Sequence, residues 1–102
     1  MTQPYCIGSN TWNGLSKLIE ECGEVQQVAG KLIGSEGESA HWDGTNLRER
    51  MESELGDLRA AIDYFIALNG LNAAAVERQR TKKLALFDRW NSEVHAKDHS
   101  HV

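Results

Sequence analysis

Residues 15–32 read LSKLIEECGEVQQVAGKL, and this stretch decides the fold. Its apolar residues recur at the three–four spacing of an amphipathic helix: Leu15, Leu18, Cys22, Val25, Ala29 and Leu32. A second stretch repeats the same period with Leu47, Met51, Leu55, Leu58, Ile62 and Phe65. Because the helical stretches contain no proline and few strand-like runs, the pattern predicts an all-α fold.

The rest of the chain divides around these two stretches. The predicted helices span 12–33, 47–68 and 73–94, with N-caps at Asn10 or Thr11, at Thr45 or Asn46, and at Asn72. Asn69-Gly70 is a good helix stop, because both residues tolerate the left-handed conformation. These boundaries predict an irregular lead-in over 1–10, one helical domain over 11–95, and a flexible tail over 96–102.

Two pairs of carboxylates stand out within the helical stretches, namely Glu21/Glu24 and Glu54/Asp57. The i, i+3 spacing places both acids of a pair on one helix face, at or near the apolar stripe. Such acids can be edge residues that pair with Lys or Arg. Four acids in two matched pairs favour a divalent cation between them, because Mg²⁺ takes a few carboxylate oxygens together with phosphate oxygens. Mn²⁺ is an alternative metal.

The motif EECGE at 20–24, followed by ELGD at 54–57, resembles the EExxE…ExxD signature of the MazG-like all-α nucleoside triphosphate pyrophosphohydrolases. The resemblance extends from near Trp12 to about Trp90. It implies Mg²⁺-dependent hydrolysis of (d)NTP to (d)NMP and pyrophosphate, in nucleotide pool control or house-cleaning. It also implies that the four acids hold the metal and that Glu21 or Glu24 activates the attacking water.

The resemblance has a further implication for assembly. MazG-like proteins are dimers, or dimers of dimers, built as shared helical bundles. We therefore expect three antiparallel helices per subunit and a homodimer or homotetramer. The broad apolar arc of the third helix hints at the same conclusion.

Two groups of residues are candidates for substrate contact. Arg80 and Lys83 project from the stripe side of the third helix, where they either contact phosphate or snorkel to water. Trp42, in a polar loop, and Trp12, at the start of the first helix, are candidates for stacking on a nucleobase. The alternative for both tryptophans is packing, and Trp90 is expected in the core or at an interface.

Composition limits the remaining possibilities for this chain of 102 residues. A net charge of −4 provides no basic footprint for nucleic acid. No apolar run is long enough for a membrane span or a signal peptide. Two cysteines, taken as free thiols, are typical of a reducing compartment and predict a cytoplasmic protein. The rival functions are a non-catalytic helical dimeric regulator and a metal-dependent hydrolase of another phosphate ester.

Overall fold

Residues 3–100 are described by the computed structural model, with side chains through Lys97. Within this range the chain forms three helices: α1 (Leu15–Gly34), α2 (Leu47–Leu68) and α3 (Ala73–Ser100). The same range contains no strand beyond one isolated antiparallel bridge between Ala40 and Asn46. The predicted all-α class is confirmed. None of the helices in this range combines the length and apolar character that a bilayer crossing requires.

The beginnings of α2 and α3 confirm two of the predicted caps. The Asn46 side chain accepts a hydrogen bond from the Glu49 N–H at 3.1 Å, and the Asn72 side chain accepts one from the Ala75 N–H at 3.0 Å. Each bond satisfies an amide that the first helical turn leaves unpaired. A short polar side chain directly before an apolar period therefore located both helix starts.

The predicted caps of α1, Asn10 and Thr11, are wrong. Trp12 has φ +44° and Gly14 has φ +85°. Both residues lie in the left-handed region and are therefore not part of a right-handed helix. The helix starts only at Leu15, directly after Gly14.

Beyond its predicted end near Val94, α3 continues to Ser100. No glycine or proline occurs between residues 73 and 100 to stop it. Residues 96–100 of the predicted flexible tail are therefore helical in the structure. Positions 101 and 102 lie outside the described residues, as do the first two positions of the predicted lead-in.

The chain divides into two compact units, Met1–Leu71 and Asn72–Val102. The domain predicted over 11–95 includes parts of both. In the first unit α1 and α2 are packed against each other and run antiparallel. Asn13, just before α1, is hydrogen-bonded to Asn69 at the end of α2, and Glu24 lies beside Arg50. The start of α1 therefore lies near the end of α2, and the middle of α1 lies near the first turn of α2.

The core between these helices is small. Val28 and Leu47 are fully buried and Ala61 is 7% exposed. Three stripe members are exposed instead, namely Cys22, Leu55 and Ile62. The contact between α1 and α2 covers a narrower arc than the apolar stripe of each helix, so one edge of each stripe remains at the surface.

Polar contacts attach the segment before α1 to the C-terminal half of α2. The Tyr64 hydroxyl donates to Asn13 Oδ1 at 2.9 Å, and the Asn13 N–H donates to Asn69 Oδ1 at 2.9 Å. The Asn69 amide group returns a bond to the Asn13 carbonyl at 2.9 Å. Asn69, expected only as a helix stop, thus joins two segments that are distant in sequence.

Substitution of Gly14 by alanine should destabilise the first unit. An added Cβ would lie 2.9 Å from Cδ1 and Cε1 of Tyr64, and φ is +85°. We expect Gly14→Ala to lower the free energy of unfolding by about 2 kcal/mol or more, measured by urea denaturation. Gly37→Ala is the matched control, because Gly37 has the same φ but nothing within 4 Å of the new Cβ. Equal losses in the two variants would show that the Tyr64 contact contributes nothing.

Candidate metal centre

Three of the four predicted metal ligands converge between α1 and α2. Glu21, Glu54 and Asp57 each offer one carboxylate oxygen, and these oxygens all lie within 4.8 Å of one another. Glu21 and Glu54 are half-buried, whereas Asp57 is exposed. We call these three residues the acidic group.

Local helix geometry and helix pairing both contribute to this arrangement. Glu54 and Asp57 are one turn apart on α2, so their side chains lie on the same face. Glu21 is a third of the way along α1 and reaches that face because the two helices are antiparallel. The i, i+3 spacing therefore explains one pair, and tertiary packing adds the third carboxylate.

The surroundings of Glu21 shift the pKa of its carboxyl. Partial desolvation raises the pKa of the Glu21 carboxyl above its ordinary value of 4.5, and the nearby Asp57 carboxylate raises it further. Glu20 and Glu54 act in the same direction, and Lys17 opposes them. Desolvation and neighbouring carboxylates thus both favour the protonated form of Glu21.

Glu24, the fourth predicted ligand, lies outside the acidic group. Its Oε2 is 3.8 Å from Nη2 of Arg50, and Nε of the same guanidinium is 3.8 Å from Oε1 of Glu54. Arg50 thus connects Glu24 with the acidic group. Sequence reasoning missed Arg50, although its i, i+4 spacing to Glu54 on a helix is a recognisable sign of an ion pair.

A cavity of about 350 Å³ adjoins the acidic group. Its wall includes two of the three acids, one lysine and several apolar or small residues: Ile7, Gly14, Lys17, Glu21, Asp57, Ala60, Ala61 and Tyr64. We call it the Tyr64 cavity. Lys17 also contacts Glu20, at 3.0 Å between Nζ and Oε2. The cavity therefore combines carboxylates, one cation and an apolar wall.

The two tryptophans predicted to contact a base occupy different surroundings. Trp12 stacks on Phe65, with ring centroids 5.7 Å apart and an interplanar angle of 13°. Trp42 is 91% exposed and touches His41 edge-on. Trp42 also borders a cavity of about 400 Å³ lined by Lys31, Gly34, Ser35 and His41. Base contact by either tryptophan stays a prediction.

The two predicted phosphate contacts, Arg80 and Lys83, lie on α3 in the second unit. Arg80 forms a two-pronged ion pair with Glu77, with Nη2–Oε1 and Nε–Oε2 distances of 2.6 and 2.9 Å. Lys83 Nζ lies 5.9 Å from the centroid of the Phe87 ring, within cation–π range. Both side chains thus have local partners on their own helix, and phosphate contact stays a prediction.

Comparison of the chain with protein-family models, curated proteins and solved structures yields no match.

Proposed function

We propose that this protein is a Mg²⁺-dependent nucleoside triphosphate pyrophosphohydrolase that cleaves (d)NTP to (d)NMP and pyrophosphate. The observation that carries the proposal is the acidic group, in which three carboxylates from two helices come within 4.8 Å of one another. The MazG-like motif at 20–24 and 54–57 supports the same function.

The residues present fit a hard divalent cation. All three donors are carboxylate oxygens, the ligand type that Mg²⁺ and Mn²⁺ prefer. The raised pKa of Glu21 has neighbouring acids among its causes, and a bound cation would relieve that repulsion. Glu21, Glu54 and Asp57 would hold the metal, which would supply charge neutralisation for the triphosphate and acidify a water molecule.

The chain's own residues would then perform the remaining steps. Glu24 lies outside the acidic group and would accept the proton of the attacking water as general base. Arg50, beside both Glu24 and Glu54, would orient the Glu24 carboxylate and offer N–H donors to a phosphate oxygen. Phosphate contact by Lys83 and Arg80 of α3 stays a separate part of the proposal.

We further propose a homodimer or homotetramer with a shared helical bundle. Large apolar side chains are exposed on α3, namely Val76, Leu84, Phe87, Trp90 and Val94. An exposed apolar face of this kind is typical of an interaction surface. Light scattering in solution should give a molar mass of two or four chains, and a monomer would contradict this part of the proposal.

Cytoplasmic location is also part of the proposal. Both cysteines, Cys6 and Cys22, are free thiols. Free thiols persist in reducing compartments.

The test is a screen of canonical and modified dNTPs and NTPs with Mg²⁺, with product analysis for each substrate. Release of pyrophosphate supports attack at the α-phosphorus, and release of orthophosphate would instead indicate a different phosphohydrolase. No Mg²⁺-dependent turnover of any substrate would favour a non-catalytic helical regulator. The exposed apolar face of α3 is the observation that supports the regulator as a second candidate function.

A further inference from the structure

The Tyr64 cavity opens beside the acidic group and shares two of its members, Glu21 and Asp57. A ligand whose phosphates meet these acids through a cation must place its remaining atoms in adjoining space. We infer that the Tyr64 cavity holds the nucleobase, and that it selects the base by shape rather than by hydrogen bonds to the base edge. This inference rests on the proposed function and names the substrate class for that site.

Continuity with the acids favours this cavity over the one beside Trp42. The Trp42 cavity is lined by Lys31, Gly34, Ser35 and His41 and includes no member of the acidic group. The Tyr64 cavity includes Lys17, whose ammonium group complements a phosphate close to the acids. Its wall thus changes from charged to apolar, as a nucleotide does from phosphate to base.

The volume of the Tyr64 cavity limits the size of the group that can occupy it. About 350 Å³ is near the lower end for small-molecule sites, which run from roughly 300 to 1,000 Å³. Ala60 and Ala61 leave space where larger side chains would fill it, and Ala61 is itself buried. A single base with part of its sugar fits this size.

The chemistry of the wall indicates how the base would be chosen. Tyr64 is the aromatic member, and its hydroxyl already donates to Asn13 Oδ1. The other uncharged side chains of the wall, Ile7, Ala60 and Ala61, have no polar atoms. Apart from the charged side chains at the phosphate end, namely Lys17, Glu21 and Asp57, the wall offers contact and stacking but little reading of base edges.

Packing and hydrogen bonds also fix the position of the wall of the Tyr64 cavity. The Tyr64 ring packs closely against Gly14, and Asn13 accepts from both the Tyr64 hydroxyl and the Gly8 N–H, each at 2.9 Å. A preformed cavity discriminates by size because its wall does not adapt to each ligand. We therefore expect kcat/KM values for bases of equal ring size to differ by no more than about two hundredfold, whatever their edge groups.

The first experiment fills the cavity without touching the acids. Ala60→Leu places a larger side chain in the Tyr64 cavity, and Ala67→Leu is the control, with the same substitution at an exposed position of α2. Binding of a non-hydrolysable nucleoside triphosphate analogue and of inorganic tripolyphosphate is measured with Mg²⁺. We expect Ala60→Leu to weaken the analogue about tenfold to a hundredfold and to leave tripolyphosphate unchanged.

Other outcomes overturn the inference. Wild-type affinity for the analogue in Ala60→Leu would do so, as would an equal loss for the analogue and tripolyphosphate. A loss in Trp42→Ala with none in Ala60→Leu would place the base in the other cavity. Ile7→Ala removes one side of the wall by truncation, so the test remains decisive if the leucine variant does not fold. Its affinity for the analogue should also fall.

The second experiment compares kcat/KM for cytosine, uracil and 5-methylated pyrimidine nucleotides. A shape-selective cavity should keep these values within about two hundredfold, whereas a wall that hydrogen-bonds the base edge rejects the wrong base by roughly 10⁴ or more. Discrimination at that level would overturn the inference while leaving the pyrophosphohydrolase proposal intact. Absence of turnover in the wild type would refute the proposed function itself.

Discussion

Replacing Glu54 with glutamine is expected to reduce Mg²⁺-dependent turnover by about a hundredfold or more, because one fixed negative charge is lost from the acidic group. Glutamine keeps the length of the side chain but is a poor ligand for a hard cation. The Glu54 side chain is only 15% exposed, so water cannot readily replace its carboxylate. The measurement is pyrophosphate release under saturating substrate.

The matched control for this prediction is Glu52→Gln, an identical substitution at an exposed position on the same helix. Glu52→Gln should keep wild-type turnover. Circular dichroism should show unchanged helix content in both variants, which separates loss of chemistry from loss of folding. Near wild-type Mg²⁺-dependent turnover in Glu54→Gln would refute the acidic group as the metal centre.

Millimolar Mg²⁺ or Mn²⁺ is expected to raise the melting temperature. A cation that binds only the folded chain stabilises it by about 2.7 kcal/mol when its free concentration is a hundredfold above Kd. For a domain of this size each kcal/mol corresponds to roughly 4–8 °C. Calorimetry with a monovalent salt at equal ionic strength controls for general screening of the net charge of −4.

Glu21→Gln sharpens this test because its two expected effects have opposite signs. Without metal the variant should melt at a higher temperature than the wild type near neutral pH, since the desolvation and the repulsion that raise the pKa of Glu21 are gone. With metal the variant should gain much less than the wild type. A melting temperature that metal leaves unchanged in the wild type would count against a preformed site.

The pH dependence follows from the same carboxyl. Because the folded chain raises the pKa of Glu21 above 4.5, the folded state holds this proton more tightly than the unfolded state. The contribution of Glu21 to metal-free stability is therefore present below pH 4.5, the ordinary pKa, and is lost as the pH rises through the higher pKa of the folded chain. The stabilisation by Mg²⁺ should grow over the same rise in pH, because the metal competes with the proton for the Glu21 carboxylate.

Local sequence determined most of the secondary structure. The three–four period predicted α1 and α2, and Asn46 and Asn72 located the starts of α2 and α3, because a cap acts on amides within its own first turn. The same locality explains why Glu54 and Asp57 share a helix face, which follows from the helical repeat alone. No knowledge of distant contacts was needed for either result.

Tertiary structure decided the composition of the site. Glu21 joins the acidic group and Glu24 does not, because the register of antiparallel α1 and α2 sets which residues face each other. Arg50 between Glu24 and Glu54, and the Tyr64 cavity beside Glu21, depend on the same register. A helical period determines the face on which a side chain lies, but only packing between helices determines what it meets there.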